Sequence, residues 1–453
     1  MKQSSGSEIG TQFFALDDAQ LRGIHWRWTL IAALGDYLDA GSIVAGGASL
    51  AMWVALFHLS PSLIGLIAAF SANGISTAVG AFIAGRLGDR FGRKFIYSVD
   101  LLIYALGVLI VIVAVNATMI IVGYMVVGLA VGADVPTSWS LIAEFAPRKA
   151  RGKLMGLTNI FWYIGPIVIL LLSLAFAPLG ITGVRLVFGS LFVVAIIAWF
   201  LRRSLLESPR WLYNQGHPEK LDEAVAKLTQ NEPSTQMSGI SSPKSVKQGG
   251  GFGELFSKRF GKRLLFITPL YLLWGIPAGT YGFFLPYIFH TLGAHSAASS
   301  DFLEILWFAS AIVALIVVFL PLNDRVNRRL LFAISAILCS AAFLLLVFFP
   351  ISNPTVAILN VLLFGVGQGI GLWPLLRIWS VELFPTEIRN TAQGFLWAIM
   401  RLGLGLWSLF LPAMTKALGF TPVAWMLGLM FIYLLVVGGI WGPKTEGVAL
   451  ESI

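Results

Sequence analysis

Long apolar stretches alternate with short polar segments along most of this chain of 453 residues. About 20 consecutive apolar residues allow a helix to cross the hydrocarbon core of a bilayer, and about twelve stretches reach or approach that length. They lie near 28–53, 62–84, 95–115, 118–143, 154–177, 184–202, 264–289, 302–321, 330–349, 355–381, 392–414 and 421–441. The pattern therefore predicts an all-α polytopic membrane protein with twelve transmembrane helices.

One polar segment is much longer than the others and separates the first six stretches from the last six. It has a helical composition near 218–228 and a middle at 232–253 rich in Ser, Pro, Gln and Gly, which is typical of a flexible linker. The predicted organisation has five parts. These are an N-terminal tail at 1–27, a six-helix half at 28–203, a linker at 204–262, a second six-helix half at 263–441 and a C-terminal tail at 442–453.

Charge is scarce and unevenly placed. Only 12% of the residues are charged, whereas a soluble domain carries about 25%, so no large soluble domain is expected. The net charge of +9 does not indicate nucleic-acid binding, because the bases lie mostly in short loops, where they orient a membrane protein. The alternate loops near 57–61, 116–117, 178–183 and 351–354 carry no Lys or Arg, and by the positive-inside rule both termini and the linker are cytoplasmic. We expect a monomer in the lipid bilayer of the cell membrane.

Two carboxylates interrupt the first apolar stretch, Asp36 and Asp39. Their spacing of three places both on one face of a helix. A carboxylate at membrane depth costs about 2.5–3.5 kcal/mol, and such residues usually face a water-filled cavity on a transport pathway. Burial and neighbouring like charge favour the protonated form of an acid, so these residues are candidates for proton coupling. The alternative is that they only pair with a structural Arg or Lys.

Charged motifs recur in corresponding loops of the two halves. Gly85-Arg-Leu-Gly-Asp-Arg-Phe-Gly-Arg93 follows the second stretch, and Asp324-Arg-Val-Asn-Arg328 follows the eighth. The fourth and tenth stretches each end in Glu-x-x-Pro with an Arg seven residues after the Glu. Such internal repeats are typical of secondary transporters. We expect a cytoplasmic gate rather than topogenic charge and helix capping alone; its residues are Asp89, Arg93, Glu144, Arg151, Asp324, Arg328, Glu382 and Arg389.

These motifs resemble those of the major facilitator superfamily, and more narrowly those of its sugar-porter-like cluster. Asp89-Arg-Phe-Gly-Arg-Lys is similar to the loop signature of the superfamily. Glu207-Ser-Pro-Arg-Trp-Leu and Pro443-Lys-Thr-Glu-Gly are similar to two further marks of the cluster. The resemblance implies two pseudo-symmetric six-helix halves, which give alternating access to a site at mid-membrane between them.

The resemblance also implies residues of that site. Asp39 lies where sugar porters place their proton-coupling acid, and Asn159 lies where they place a glutamine of helix five. Tyr124 and Arg377 replace their helix-four Arg and helix-ten Trp, and their paired glutamines of helix seven are missing.

Other positions resemble phosphate–proton symporters more closely. Asp36 with Asp39 is similar to their acid pair in helix one, and Gly132-Ala-Asp134-Val-Pro is similar to their helix-four motif. Arg401 lies where they place a Lys in helix eleven. Because Arg keeps its charge in proteins, Arg377 and Arg401 must each meet a carboxylate of the first half, an anionic ligand, or both in turn.

The expected proton-coupling residues are Asp39, Asp134 and Asp36. The expected substrate-binding residues are Arg377, Arg401, Asn159, Trp373, Tyr281 and Tyr124. The expected function is proton-coupled symport of a small polar solute, with an anionic organic acid or a phosphate-like solute slightly favoured. A sugar–proton symporter of the sugar-porter type is the alternative, and a proton-driven efflux antiporter and a transporter-like nutrient sensor are further ones.

Catalytic motifs are absent from the sequence. It has no Gly-Lys-Ser/Thr phosphate loop, no Gly-x-Ser-x-Gly motif and no pair of His and carboxylate at metal-ligand spacing. The single cysteine, Cys339, excludes an internal disulfide and a thiolate metal site. We therefore expect a transporter rather than an enzyme, with no cofactor, no metal and no nucleic-acid partner.

Overall fold

A computed structural model of the chain describes residues 18–229, 252–293, 296–323 and 325–443. Within these ranges, twelve helices are long and apolar enough to cross a membrane, and they are numbered here in chain order. They are α1 Gly23–Phe57, α2 Pro61–Phe91, α3 Arg93–Ile112, α4 Ala117–Phe145, α5 Arg148–Leu179, α6 Ile181–Arg202, α7 Gly261–Phe289, α8 Ala298–Leu322, α9 Arg328–Phe348, α10 Pro354–Glu382, α11 Thr386–Leu418 and α12 Thr421–Trp441. The predicted all-α architecture with twelve transmembrane helices is confirmed.

Caps and breakers in the sequence position the helix ends. The side chains of Ser60 and Asn353 accept backbone N–H groups at the starts of α2 and α10, and a proline follows each of them. The first helix begins at Gly23, five residues before the apolar stretch at Trp28. Helix start is therefore set by local hydrogen bonding and not by the edge of the apolar stretch.

Two helices are interrupted near their middle. Helix α2 breaks at 71–74, between the segments Pro61–Phe70 and Ile75–Phe91. Helix α10 contains a π-turn over Gln368–Leu372, in which Gly371 is non-helical. Such interruptions are frequent at functional sites in membrane transporters. They place two polar side chains, Asn73 and Gln368, in the buried interior.

The two halves meet mainly along α2 with α11 and along α5 with α8. Small residues permit close backbone contact at these pairs. A Cβ atom added at Gly85 of α2 would lie 2.9 Å from the carbonyl oxygen of Asn390 and 3.0 Å from the Cα of Gly394 in α11. The interface between the halves is thus tightly packed at this level of the bundle.

The segment between the halves begins with short helices, Pro209–Asn214 and Pro218–Thr229. The second of them confirms the helix expected near 218–228. Before them, the carboxylate of Glu207 accepts the backbone N–H groups of Arg93 and Lys94, each at 3.0 Å, and so caps α3. Most of the predicted flexible segment at 232–253 lies outside the described residues, as do 1–17 and 444–453 of the two tails.

The loops after α2, α4 and α8 carry the clustered Lys and Arg residues and lie at one end of the bundle. This end is called the basic end below, and the other is called the opposite end.

Candidate transport site

Both acids of α1 are paired with arginines of the second half. Oδ1 of Asp36 lies 2.6 Å from Nη2 of Arg377 in α10, and Oδ2 of Asp39 lies 3.0 Å from Nη2 of Arg401 in α11. None of the four side chains is more than 3% exposed. The structure therefore brings together four residues that the sequence singled out, in two ion pairs that bridge the halves.

Asp39 accepts hydrogen bonds from two side chains. Nη2 of Arg401 contacts its carboxylate oxygens at 3.1 and 3.0 Å, and Nε1 of Trp162 in α5 donates to Oδ2 at 3.1 Å. Nη1 of Arg401 donates to the side-chain oxygen of Asn73 in the break of α2. The amide of Asn73 in turn donates to the carbonyl of Gly279 in α7 at 2.9 Å. One network thus links Asp39 to helices of both halves.

The hydrogen bonds to Asp36 all go to one of its two carboxylate oxygens. Its Oδ1 accepts from Nη2 of Arg377 at 2.6 Å and from Nε1 of Trp139 at 3.1 Å. Arg377 also donates to Oδ1 of Asn159 at 2.8 Å, and its guanidinium lies 3.8 Å from the ring centroid of Trp139. The other carboxylate oxygen, Oδ2, is buried and has no hydrogen-bond partner. It is a free acceptor at the centre of the protein.

Tryptophans from both halves pack around these pairs. Trp139 of α4 meets Trp373 of α10 and Trp397 of α11 edge-on, with ring centroids 5.4 and 4.9 Å apart. Trp373 stacks on Trp274 of α7 at 3.7 Å. The indole N–H groups of Trp373 and Trp397 are buried and have no hydrogen-bond partner. The cluster therefore combines large apolar ring faces with two free donors.

A cavity lies between the halves beside the Asp39–Arg401 pair. Its volume is about 20 Å³, room for about one water molecule. Apolar walls with a few polar groups are typical of ligand pockets, but in this closed state the cavity is too small to hold a solute. Its walls include Ile43, Asn73, Trp162, Trp274, Trp397 and Arg401.

Asp134, which was expected at the proton site, lies in a separate cluster within the first half. Arg202 of α6 contacts Asp134 at 2.7 Å and Asp100 of α3 at 3.1 Å. A Cβ atom at Gly35 of α1 would overlap Asp134 and lie 2.6 Å from Arg202, so this glycine makes room for the cluster. The structure thus places Asp134 behind α1, with polar partners in its own half and not across the central site.

The two tyrosines expected to bind substrate are part of helix packing instead. The hydroxyl of Tyr124 donates to the carbonyl of Ser42 at 3.1 Å, and that of Tyr281 donates to Oδ1 of Asn360 at 2.9 Å. Both side chains are fully buried within their own half. Neither lines the cavity. The structure does not place them in contact with a solute there, because their polar atoms already have protein partners.

At the basic end, the expected gate residues bridge the halves through Glu144. This carboxylate of α4 accepts from Arg93 of its own half at 2.9 Å and from Arg389 of the second half at 3.2 Å. Asp89 lies 3.0 Å from Arg93 and accepts the backbone N–H and the hydroxyl of Thr391 in α11, both at 2.7 Å. These contacts hold α2 and α4 against α11.

The repeated motif of the second half makes equivalent ion pairs, one within its own half and one to the first half. Glu382 of α10 lies 3.0 Å from Arg328 of its own half and 3.7 Å from Arg151 of the first half. Each gate glutamate is therefore shared between one arginine from each half, so parting the halves breaks contacts at both. Asp324, the remaining expected gate residue, lies outside the described residues.

The opposite end is closed by backbone packing. A Cβ atom at Gly47 of α1 would lie 2.7 Å from the carbonyl oxygen of Phe283 in α7, and one at Gly65 of α2 would lie 2.9 Å from that of Leu409 in α11. These approaches lie on the opposite-end side of the cavity. Together with the gate contacts at the basic end, these close approaches shut the central site off from both ends of the bundle.

Sequence reasoning missed several residues of the site. Trp139 and Trp162 hold the two acids, but an indole carries no charge, and with 15 tryptophans in the chain its position gives no signal. Asn73 had a signal in the helix-breaking Ser-Ala-Asn-Gly sequence around it. Arg202 stands beside Arg203 at the end of an apolar stretch, where it is indistinguishable from a topogenic base.

Among the described residues, no three His, Cys, Asp or Glu side chains are grouped so that they could hold a metal ion. The chemistry available at the centre is therefore hydrogen bonding, ion pairing and proton binding by the residues described above.

A sequence profile of the family described as "Sugar (and other) transporter" matches residues 41–453. The chain belongs to the sugar (and other) transporter family. The loop motifs predicted a sugar-porter-like member of the major facilitator superfamily, and this prediction is confirmed. This family member is an integral membrane transporter and not an enzyme.

Relatives of this sugar transporter family member cover nearly its whole length. The minor myo-inositol transporter IolF of Bacillus subtilis (strain 168) is 36% identical over 425 residues, which are 94% of this chain and 92% of that protein. The niacin transporter NiaP of Acinetobacter baylyi is 28% identical over 451 residues, covering 97% of this chain and 98% of that protein. The structure of the proton:xylose symporter XylE bound to 6-bromo-6-deoxy-D-glucose is similar with a TM-score of 0.79 at 20% identity, covering 94% of this chain and 98% of that one. The last likeness establishes the major facilitator fold.

Proposed function

We propose that this transporter is a proton-coupled symporter of a small, uncharged, polyhydroxylated solute of the size of a cyclitol or monosaccharide. The observation that carries this proposal is the one-to-one pairing of the buried charges, Asp36 with Arg377 and Asp39 with Arg401. An anionic solute would have to displace a carboxylate from its arginine, whereas a neutral one can bind without breaking either pair. The sugar-type alternative is therefore favoured over the anion.

Free hydrogen-bonding groups at the centre suit hydroxyl ligands. Oδ2 of Asp36 is a free acceptor, and the indole N–H groups of Trp373 and Trp397 are free donors. A hydroxyl both donates and accepts, so a polyol can satisfy both kinds of group at once. The apolar ring faces can cover the C–H surface of such a solute. The myo-inositol transporter among the relatives gives this solute class further support.

Asp39 is the proposed proton-binding residue. Protonation removes its charge and weakens its hold on Arg401, which also contacts Asn73 and through it Gly279 of α7. Helices α1, α2, α7 and α11 thus change their mutual contacts when one proton binds. When the halves part and this cavity widens, a solute bound in it would touch the same helices. Proton binding, solute binding and the parting of the halves can therefore be coupled through one network.

The experiment compares driven accumulation with passive exchange of radiolabelled myo-inositol in proteoliposomes. We expect the wild type to accumulate the solute when an inward proton gradient is imposed. Asp39→Asn should lose this accumulation and keep counterflow exchange, because the amide imitates the neutral acid. Asp222→Asn, in the helix Pro218–Thr229 at the basic end, is the matched control and should accumulate like the wild type. Driven accumulation by Asp39→Asn would exclude this residue as the coupling acid.

A small aromatic carboxylate such as nicotinate is the second candidate. Two arginines lie against tryptophan rings, Arg377 at 3.8 Å from Trp139 and Arg401 at 4.3 Å from Trp397. The niacin transporter among the relatives is consistent with such a ligand. The planar fork of Arg binds a carboxylate in a way that Lys cannot reproduce.

Lysine variants separate the two candidates. If the solute is an anion, Arg377→Lys and Arg401→Lys should each weaken its binding by about 1.5–3 kcal/mol, the value of a hydrogen bond to a charged group. A neutral polyol should be affected much less, since hydroxyls accept from either side chain. The measurement is competition by nicotinate and by myo-inositol in counterflow exchange. Competition by nicotinate alone, and its loss in both variants, would overturn the neutral-solute proposal.

The proposed location is the cell membrane with the basic end in the cytoplasm. The five-part organisation at 1–27, 28–203, 204–262, 263–441 and 442–453 is proposed with it. In this orientation the gate around Glu144 and Glu382 closes the cytoplasmic side.

A further inference from the structure

Glu304 is a buried acid of the second half that the transport site does not use. It lies on α8 and is 1% exposed, and neither of its carboxylate oxygens has a hydrogen-bond partner. In the part of the chain that the structure describes, the bases on the opposite-end side of the bundle are His58, Arg185 and Lys416, and all three are exposed. No described base is therefore buried at this level to neutralise the carboxylate.

The side chain of Glu304 points into the interior above the cavity. Trp307 and Phe308 follow it by three and four residues, so the three share one face of α8. Phe308 lines the cavity, and its ring lies 6.2 Å from that of Trp162, which donates to Asp39. Glu304 lies about 6 Å further along α8 toward the opposite end, at a rise of ~1.5 Å per residue. This is the side on which α1 and α7 close over the cavity.

Other titratable groups near this position are few. Asp301 is on the same helix, one turn closer to the opposite end, and is partly exposed. Tyr163 of α5 and Tyr281 of α7 are buried on the neighbouring helices. A phenol is neutral near pH 7, so neither tyrosine compensates a negative charge on Glu304.

The surroundings permit only the neutral acid in this closed state. A buried carboxylate without a cation or a donor costs several kcal/mol, and the protonated form avoids most of that cost. Opening of the opposite end would admit water, in which the carboxylate is stable. Closing the opposite end must then be accompanied by uptake of one proton at this position.

We propose that Glu304 is a second proton-binding residue, whose protonation is required for the opposite end to close over the cavity. The proton comes from water at the opposite end as the cavity closes and returns to that water when it reopens. Glu304 therefore sets the pH dependence of closure, whereas Asp39 couples the proton to the solute. The inference rests on the proposed alternating access but not on the identity of the solute.

The experiment measures how readily the cavity is reached from outside. Val44 lines the cavity and is buried, so Val44→Cys in a Cys339→Ser background reports opening to an impermeant thiol reagent added to intact cells. Labelling is normalised to that of denatured protein at the same pH, which removes the pH dependence of the thiol itself. We expect labelling to rise with external pH by up to about tenfold per pH unit, the limit for one linked proton.

Variants assign this dependence to one residue. Glu304→Gln imitates the protonated acid and should give low labelling that no longer changes with pH. Asp301→Asn on the same helix and Asp222→Asn at the basic end should each keep the dependence. A wild-type pH dependence in Glu304→Gln, or its loss in Asp301→Asn instead, would overturn the proposal. None of these measurements needs a transported solute, so their outcome is independent of whether myo-inositol is carried.

Infrared spectroscopy of the purified protein gives a second readout. We expect a carbonyl stretch of a protonated carboxylic acid at neutral pH that is lost in Glu304→Gln and kept in Asp301→Asn. The conservative variant Glu304→Asp should keep both this signal and the pH-dependent labelling. If Glu304→Gln retains the full signal, the acid is ionised in the wild type and the proposal is wrong.

Discussion

The ion pair between Asp36 and Arg377 allows a quantitative prediction of how much stability is lost when one partner of a buried pair is removed. Arg377→Gln removes the 2.6 Å contact to Asp36, the 2.8 Å hydrogen bond to Asn159 and the contact with the ring of Trp139 at 3.8 Å. Asp36 would remain fully buried with only the hydrogen bond from Trp139. Leaving one charge of a buried pair without its partner costs about 3–5 kcal/mol. We expect a loss of this size in the free energy of unfolding.

The double variant tests whether the cost comes from the pairing. Asp36→Asn combined with Arg377→Gln removes both charges, and replacing a whole buried pair is often nearly neutral. We therefore expect the double variant to be at least about 2 kcal/mol more stable than the sum of the two single losses implies, within the usual range for residues in contact.

Unfolding by a denaturing detergent, followed by tryptophan fluorescence, measures these energies, since no variant removes a tryptophan. Lys227→Gln is the matched control, because Lys227 contacts Glu223 at 2.6 Å but both side chains are at least half exposed. It should leave the unfolding curve nearly unchanged, since solvent screens such a pair. A change of less than about 1 kcal/mol in Arg377→Gln, the value typical of an exposed pair, would refute the reasoning. Strictly additive losses in the double variant would refute it as well.

Three further predictions concern packing, the gate and topology. Gly35→Ala should strongly destabilise the protein, because the added methyl overlaps Asp134 and reaches Arg202, whereas Gly23→Ala has free space and should not; both are compared in the same unfolding assay. Glu144→Gln weakens the contacts of two arginines at the basic end and should raise labelling of the cavity cysteine in inverted vesicles. With the single native cysteine replaced by serine, Lys220→Cys should not react with an impermeant thiol reagent outside intact cells, whereas Thr182→Cys should.

For each of these three predictions, one experimental result would contradict it. Equal stability of the two alanine variants would mean that the Arg202 cluster is not packed against α1 as described. Unchanged labelling in Glu144→Gln would show that this carboxylate does not hold the basic end closed. External labelling of Lys220→Cys would reverse the proposed orientation of the whole bundle.

Much of the architecture was predictable because its causes are local. The length of an apolar stretch determines whether a helix can cross the bilayer, so the twelve helices followed from the sequence. The cost of a charge at membrane depth drew attention to Asp36 and Asp39, and to Arg377 and Arg401. The repeated Glu-x-x-Pro motif identified Glu144 and Glu382 at corresponding helix ends.

The partners of these residues were less predictable. Asp134 looked like a third acid of the central site, but α6 brings Arg202 against it within the first half. Tyr124 and Tyr281 lie on helices that line the site in the family, yet their side chains point into the packing of their own half. The position of a residue in a helix shows which other residues share its face, but it does not show which neighbouring helix packs against that face.

By itself, the sequence determined the number and order of the helices, the two related halves and the buried charges that any fold would have to compensate. Only the tertiary structure decided that each acid of α1 meets an arginine of α10 or α11, with Trp139 and Trp162 as further donors, and that Glu304 meets none. The physical reason is that these interactions act over different distances along the chain. Hydrophobic length and helix capping act over a few residues, whereas an ion pair depends on a distance of about 3 Å between side chains that lie far apart along the chain.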